Sequence, residues 1–243
     1  MKAIIIIPAY NEASRIERTI RTHHTFFSSP TIQQHIDCSF IIVPNGCTDN
    51  TQQVVNDLSK EFSNITSISI EYPGKGRAIK EGFLYTMQCD CDFIGFIDAD
   101  GATSPEALYA LFQYFDDATD GVIASRYMHD SNIFPPRPRI KRWGSKLVYE
   151  PLVRTILGIK YHDLQCGAKL FKKNVINVIA PLLTIDQWAF DIELLYLCHQ
   201  FNFFIKEVPT IWHDQKGSTL KIRSGWRMLT AIFDIKAQHK HLS

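Results

Sequence analysis

The sequence predicts an α/β chain built on a mostly parallel, doubly wound sheet, and three observations carry that prediction. Apolar or β-rich runs at residues 3–7, 39–43, 65–72 and 93–97 alternate with stretches of helix-forming composition through the first half of the chain, the pattern of repeated βα units. At 243 residues and 45% hydrophobic, the chain can bury a substantial core, so one large α/β domain with a C-terminal elaboration is the simplest division. The triplet Asp98-Ala99-Asp100 follows directly on the run Phe93-Ile94-Gly95-Phe96-Ile97, which sets two carboxylates where a buried strand ends. In an open α/β sheet that edge is where ligands bind.

Each element has a local cause. Residues 3–7 form a continuous apolar run closed by Pro8, and residues 13–24, with Glu12, Arg15, Glu17 and Arg18 at their start, read as a helix. Residues 39–43 form a second strand turned by Pro44-Asn45-Gly46, after which Thr48-Asp49-Asn50-Thr51 opens a helix to about residue 62. Residues 65–72 alternate as a third strand, Gly74-Lys75-Gly76 breaks it, and residues 78–87 read as a helix before the strand 93–97. Ser104-Pro105-Glu106 is a helix start. Residues 121–125 form a further strand. The arm 132–139 carries three prolines that exclude regular helix or central strand, so it is expected as a loop over the site. Helices are expected over 141–157 and 189–199, a β-rich stretch over 203–212, and a basic segment at the C-terminus.

Composition narrows the function classes. The formal charge is +1, from 26 basic and 25 acidic side chains, so no global field attracts nucleic acid or an anionic membrane, and no nucleic-acid partner is expected. The six cysteines are scattered, with no second pair beside Cys89-Asp90-Cys91 at zinc-finger spacing; they read as reduced cytosolic thiols. The nine histidines form no metal-binding motif and are expected at the surface. No apolar run reaches membrane-spanning length, so a soluble, cytoplasmic protein is expected, with peripheral membrane contact left open. The C-terminal segment interleaves Lys216, Lys221, Arg223, Arg227, Lys236 and Lys240 with Trp226, Met228, Leu229, Ile232, Phe233 and Ile235. This is either a basic amphipathic helix at a membrane interface or ordinary core packing with basic outer residues.

Polar groups gather at the four expected strand ends. The first carries Tyr10, Asn11 and Glu12, suited to stacking on a base and bonding its edge or ribose hydroxyls; Asn11 is otherwise a simple cap. The second carries Asn45-Gly46-Cys47-Thr48-Asp49, and the third Gly74-Lys75-Gly76-Arg77, a flexible backbone with two cations for phosphate oxygens. The fourth carries Asp98 and Asp100, hard oxygen ligands suited to Mg2+ or Mn2+ and a metal-bound diphosphate, or else turn and capping residues.

In that order these motifs resemble a known family. With Ser125-Arg126-Tyr127, Asp163-Leu164-Gln165-Cys166-Gly167 and Trp188-Ala189-Phe190-Asp191-Ile192-Glu193, the chain resembles glycosyltransferase family 2 enzymes of the GT-A fold, and within them dolichyl-phosphate β-glucosyltransferases and related polyprenyl-phosphate hexosyltransferases. The resemblance implies one GT-A domain over 1–243, with a nucleotide-sugar-binding half at 1–127 and an acceptor-side half at 128–243. It implies that Pro8, Ala9, Tyr10 and Glu12 line the nucleotide pocket with Asn45 and Asp49, that Lys75 approaches the base or diphosphate, that Asp98 contacts the nucleoside, and that Asp100, with Asp98, holds the metal. Ala102 stands where the mannosyl branch often has glutamine, which leans the donor toward UDP-glucose. Asn45 replaces a common aspartate; an amide still bonds uracil. Arg126, Lys141, Ser145 and Gln165 are implied to hold an acceptor phosphate, with Lys141 giving charge without the guanidinium fork.

The implied reaction inverts the anomeric centre, with a divalent cation and Lys75 stabilising the departing nucleoside diphosphate. A phosphate acceptor on the cytosolic membrane face needs no strong base, because its second pKa is about 6. A hydroxyl acceptor, whether saccharide, protein or small molecule, needs a carboxylate in reach; Asp191 or Glu193 is then the base and Asp163 an orienting group. Asp191 and Glu193 are otherwise the solvated face of a leucine-rich helix. A non-catalytic nucleotide-sugar-binding protein is the remaining alternative.

Overall fold

A computed structural model describes residues 1–135, 150–215 and 223–240. Nine strands and nine α-helices are assigned among them: β1 (Lys2–Ala9), α1 (Ile16–Phe27), α2 (Pro30–Gln33), β2 (Asp37–Pro44), α3 (Thr51–Glu61), β3 (Ile65–Ser67), α4 (Lys75–Thr86), β4 (Phe93–Ile97), α5 (Pro105–Phe112), β5 (Gly121–Ser125), β6 (Asn132–Phe134), α6 (Glu150–Leu157), β7 (Ala168–Lys172), α7 (Lys173–Ile179), α8 (Phe190–Gln200), β8 (Ile205–Pro209), β9 (Ile211–His213) and α9 (Arg223–Gln238). Seven strands form one sheet in the order β3-β2-β1-β4-β7-β5-β8, and β6 pairs with β9 apart from it.

The period-two geometry of strands explains the two cores. Ala3, Ile5, Ile7 and Ala9 of β1 pack on one face with Ile16 and Ile20 of α1, Val55 of α3 and Leu108 of α5. Ile4 and Ile6 pack on the other with Phe83 of α4, Ile176 of α7, Leu194 of α8 and Ile232 of α9. A sheet covered on both faces requires apolar residues at successive positions, which is why 3–7 and 93–97 are unbroken runs. Ser104 caps α5, accepting from the Ala107 N–H at 3.2 Å with Pro105 at the first helical position.

Three departures from the sequence expectation bear on the site. The sheet is parallel except for β7, which runs antiparallel between β4 and β5 with Ile97 opposite Ala168; the sequence suggested no strand there. Helix α4 begins at Lys75, so Gly-Lys-Gly is its N-cap and first turn rather than a loop before it. In the arm, Asn132–Phe134 pairs in parallel with Ile211–His213, so its start is a short strand; residues 136–139 and the expected helical residues 141–149 lie outside the described residues, as do Lys216 and Lys221.

One further expectation changes. His23 is 2% exposed rather than superficial, its Nδ1 facing the Thr19 carbonyl at 2.8 Å; burial lowers its pKa. His239 is buried as well. Helix α9 places Ala231, Ile232 and Ile235 in the core and Lys236 Nζ on the Ile156 carbonyl at 2.9 Å, which is the core-packing alternative for that part of the segment. None of the described helices is long and apolar enough to cross a membrane.

Candidate active site

Strand β1 pairs with both β2 and β4, so the connections diverge there, and in an open α/β sheet such a switch point at the carboxyl ends of the strands is where ligands bind. Because β7 is antiparallel, its leading end reaches the same edge: the Asp98 N–H donates to the Gly167 carbonyl at 3.0 Å. A Cβ on Gly167 would stand 1.8 Å from Asp98 Oδ2, so only glycine leaves room for that carboxylate.

At the ends of β1 and β2, internal bonds use many of the groups expected to meet a nucleotide. Pro8 and Ala9 are buried inside β1, whereas Tyr10 is 49% exposed. Asn11 takes the left-handed region at φ 55, which asparagine tolerates, and accepts from the Thr48 N–H at 2.8 Å. Glu12 is paired with Arg15, whose Nη2 lies 2.8 Å from Oε1. Asp49 accepts from the Thr51 hydroxyl at 2.5 Å and from the Thr51 and Ala13 N–H groups at 3.0 and 3.2 Å, bonds that outweigh the effect of desolvation and lower its pKa. The buried Asn45 amide donates to the Ala9 and Val43 carbonyls and accepts from the Gly74 N–H. Asn45 therefore ties the ends of β1 and β2 to the turn before α4, and Asp49 joins the segments that follow β1 and β2.

Lys75, at the start of α4, is the cation of the site. Its Nζ lies 2.6 Å from Asp98 Oδ1 and 4.0 Å from Asp191 Oδ2, and it faces the rings of Trp188 and Phe96 at 5.5 and 5.9 Å. Burial alone would lower the pKa of this ammonium, but Asp98 and Asp191 raise it. The flanking glycines serve close packing: a Cβ on Gly76 would meet the Ile185 carbonyl oxygen at 2.3 Å, and one on Gly74 the Asp186 carbonyl oxygen at 2.7 Å. Arg77, expected beside phosphate, instead pairs with Asp186. Asp100 accepts from the Ala102 N–H at 3.0 Å, and burial followed by the Asp98 charge raises its carboxyl pKa.

Asp191 and Glu193 are 1% and 0% exposed, which excludes a solvated face. Asp191 Oδ1 accepts from Lys169 Nζ. Glu193 accepts from the Thr184 N–H at 3.0 Å and the Ile185 N–H at 2.8 Å, and meets His239 Nε2 at 2.8 Å; it anchors the loop packed on Gly76.

Across the edge, Arg126 gives Nε and Nη2 to the two oxygens of Asp163 at 2.7 and 2.8 Å, with its guanidinium 5.1 Å from the Trp212 ring. Burial opposes the charged form of Asp163, but Arg126 overcomes it and lowers the pKa. Gln165 is half-buried between Asp163 and Gly167. Lys141 and Ser145 lie outside the described residues. Sequence reasoning passed over Lys169, Trp212 and His213. The His213 N–H donates to the Ala102 carbonyl at 2.9 Å, which brings β9 beside the aspartate turn; no local pattern announces that contact.

The metal expectation rests on donor chemistry. Among the described residues no three His, Cys, Asp or Glu side chains converge on one point. Asp98 and Asp100 are oxygen donors at this edge, which fits a hard cation.

A family model described as glycosyl transferase family 2 matches residues 4–179. The chain is 29% identical over 264 residues to the dolichyl-phosphate beta-glucosyltransferase of Dictyostelium discoideum, covering 96% of this chain and 76% of that protein. It is 30% identical over 239 residues to the dolichyl-phosphate beta-glucosyltransferase of Saccharomyces cerevisiae, covering 90% and 69%. Among solved structures, glucosyl-3-phosphoglycerate synthase from Mycobacterium tuberculosis, in complex with Mn2+, UDP-glucose and phosphoglyceric acid, matches with a TM-score of 0.68 at 17% identity, covering 98% of this chain and 79% of that one. At that identity the likeness is one of fold, the GT-A arrangement.

Proposed function

The chain belongs to glycosyl transferase family 2, and from that premise we propose that it transfers glucose from UDP-glucose to a dolichyl or other polyprenyl phosphate, with inversion, at a cytosolic membrane face. One observation carries the choice of acceptor. The three carboxylates considered as partners of a hydroxyl nucleophile are all buried and engaged: Asp191 with Lys169, Asp163 with Arg126, and Glu193 with the Thr184 and Ile185 N–H groups and His239. A carboxylate whose oxygens already serve such partners is not placed to receive a hydroxyl proton, which favours an acceptor already ionised near neutrality, as a phosphate monoester is. The names of the Dictyostelium and yeast relatives support the same acceptor and sugar. The UDP-glucose and Mn2+ bound by the mycobacterial enzyme support the donor and a divalent cation.

In this proposal a phosphate oxygen attacks the anomeric carbon opposite the diphosphate. The bond from that carbon to the diphosphate oxygen breaks, and UDP departs. Tyr10 and Glu12 flank the nucleoside, and Lys75 stabilises the charge developing on the diphosphate. Asp100 and Asp98 would hold Mg2+ or Mn2+, which would supply further positive charge there. Arg126, whose Nη1 is the nitrogen not bonded to Asp163, orients the acceptor phosphate with Gln165, Lys141 and Ser145.

Calorimetry with a panel of nucleotide sugars, with and without Mn2+, tests the donor half. UDP-glucose is expected to bind in a metal-dependent way, and Asp100→Ala to abolish that dependence. Failure of every nucleotide sugar to bind the folded protein sinks the proposal. For the acceptor half, transfer to polyprenyl phosphate in a membrane extract is expected; turnover only with hydroxyl acceptors refutes it.

A further inference from the structure

Four side chains of alternating charge run inward from the candidate donor edge: Asp98, Lys75, Asp191 and Lys169. Lys169 is fully buried in β7, with Nζ on Asp191 Oδ1 and on the Cys166 carbonyl, the latter at 2.7 Å, and over the Phe96 ring at 5.3 Å. A buried ammonium is costly unless it is paired and hydrogen-bonded, and these partners meet that need. What it does for Asp191 matters more. Asp191 is 1% exposed, and among the described residues the cations within 4.0 Å of its carboxylate are Lys169 and Lys75.

We propose that Lys169 is a positioning residue for the donor diphosphate: by compensating Asp191, it leaves Lys75 at the edge, able to exchange Asp98 for a diphosphate oxygen. The inference rests on the donor reading above. Without the Lys169 charge, Asp191 is a buried anion with one remaining cation, and Lys75 is drawn from the edge toward it. The contact between Lys75 and the diphosphate is then lost although Lys75 itself is intact. Removing Asp191 together with Lys169 takes away that pull and returns Lys75 to the edge.

The probe is UDP, titrated into native protein and folded variants with and without Mn2+, alongside melting temperature. Lys169→Met is expected to weaken UDP binding about tenfold or more. Lys169→Gln, which keeps hydrogen-bonding groups but no charge, is expected to do the same and serves if Lys169→Met does not fold. Lys169→Arg is expected to retain affinity, and Lys169→Met/Asp191→Leu to recover to within about threefold of native, the non-additivity of coupled sites. A purely structural lysine predicts lowered melting temperatures with native UDP affinity in Lys169→Met and Lys169→Gln, and that result overturns the inference. A double variant no better than the single also overturns it. If native protein binds UDP but the variants do not differ from it, the inference fails alone; if native protein binds no UDP, the donor reading fails and takes the inference with it.

Discussion

Asp163 is 2% exposed and meets Arg126 through both carboxylate oxygens. Breaking a buried pair by removing one charge costs about 3–5 kcal/mol, because the other charge is left uncompensated. Asp163→Asn is therefore expected to lower unfolding free energy by an amount of that order near neutral pH. The Asp163 pKa is lowered in the folded chain, so its contribution is fully present above the ordinary carboxylate value of about 3.9 and is lost as pH falls through the lower folded value. Urea melts of native and variant protein should converge on acidification; a gap that stays constant with pH contradicts this account. Gly167 makes a second residue-level prediction. A Cβ at 1.8 Å from Asp98 Oδ2 cannot coexist with that carboxylate position, so Gly167→Ala should displace Asp98 and weaken metal-dependent donor binding by about tenfold, or ~1.4 kcal/mol. Native-like binding by Gly167→Ala would remove Asp98 from the donor site.

At the scale of elements, α4 and β7 decide the site. The first turn of α4 packs on the loop before α8, and a Gly76 Cβ would meet the Ile185 carbonyl oxygen at 2.3 Å and Phe190 Cβ at 2.6 Å. Gly76→Ala is expected to destabilise by about 1–3 kcal/mol through overpacking, measured as a lower denaturant midpoint; a neutral or stabilising effect would mean that the loop yields. The start of α5 was legible because a cap is local: Ser104 and Pro105 announce it within two residues. Strand β7 was not legible. Ala168-Lys169-Leu170-Phe171-Lys172 has lysines at its second and last positions, and one of them is buried. A lysine in a core reads as solvent-facing until its counter-ion is known, and Asp191 stands 22 residues away in sequence.

Across the whole molecule, Glu193 joins the loop at Thr184 and Ile185 to His239 at the end of α9, and Ile232 and Ile235 of α9 lie in the core beside Val153 and Leu157 of α6. Truncating the chain after residue 222 should expose that apolar surface and release one partner of Glu193. The expected result is a loss of several kcal/mol in unfolding free energy, with faster amide exchange in α6 and α8; unchanged exchange there would show that α9 is dispensable. The sequence by itself determined the strand-helix alternation, the doubly wound sheet and the aspartates after the fourth strand. These rest on apolar periodicity, caps and turns that neighbouring residues supply. Only the tertiary structure decided that β7 enters antiparallel, that Asn45 and Asp49 join separate segments, that Arg126 is held by Asp163, and that Asp191 lies between two lysines. The physical reason is that a buried charge is tolerated through its partner, and the fold brings those partners together from segments far apart in sequence.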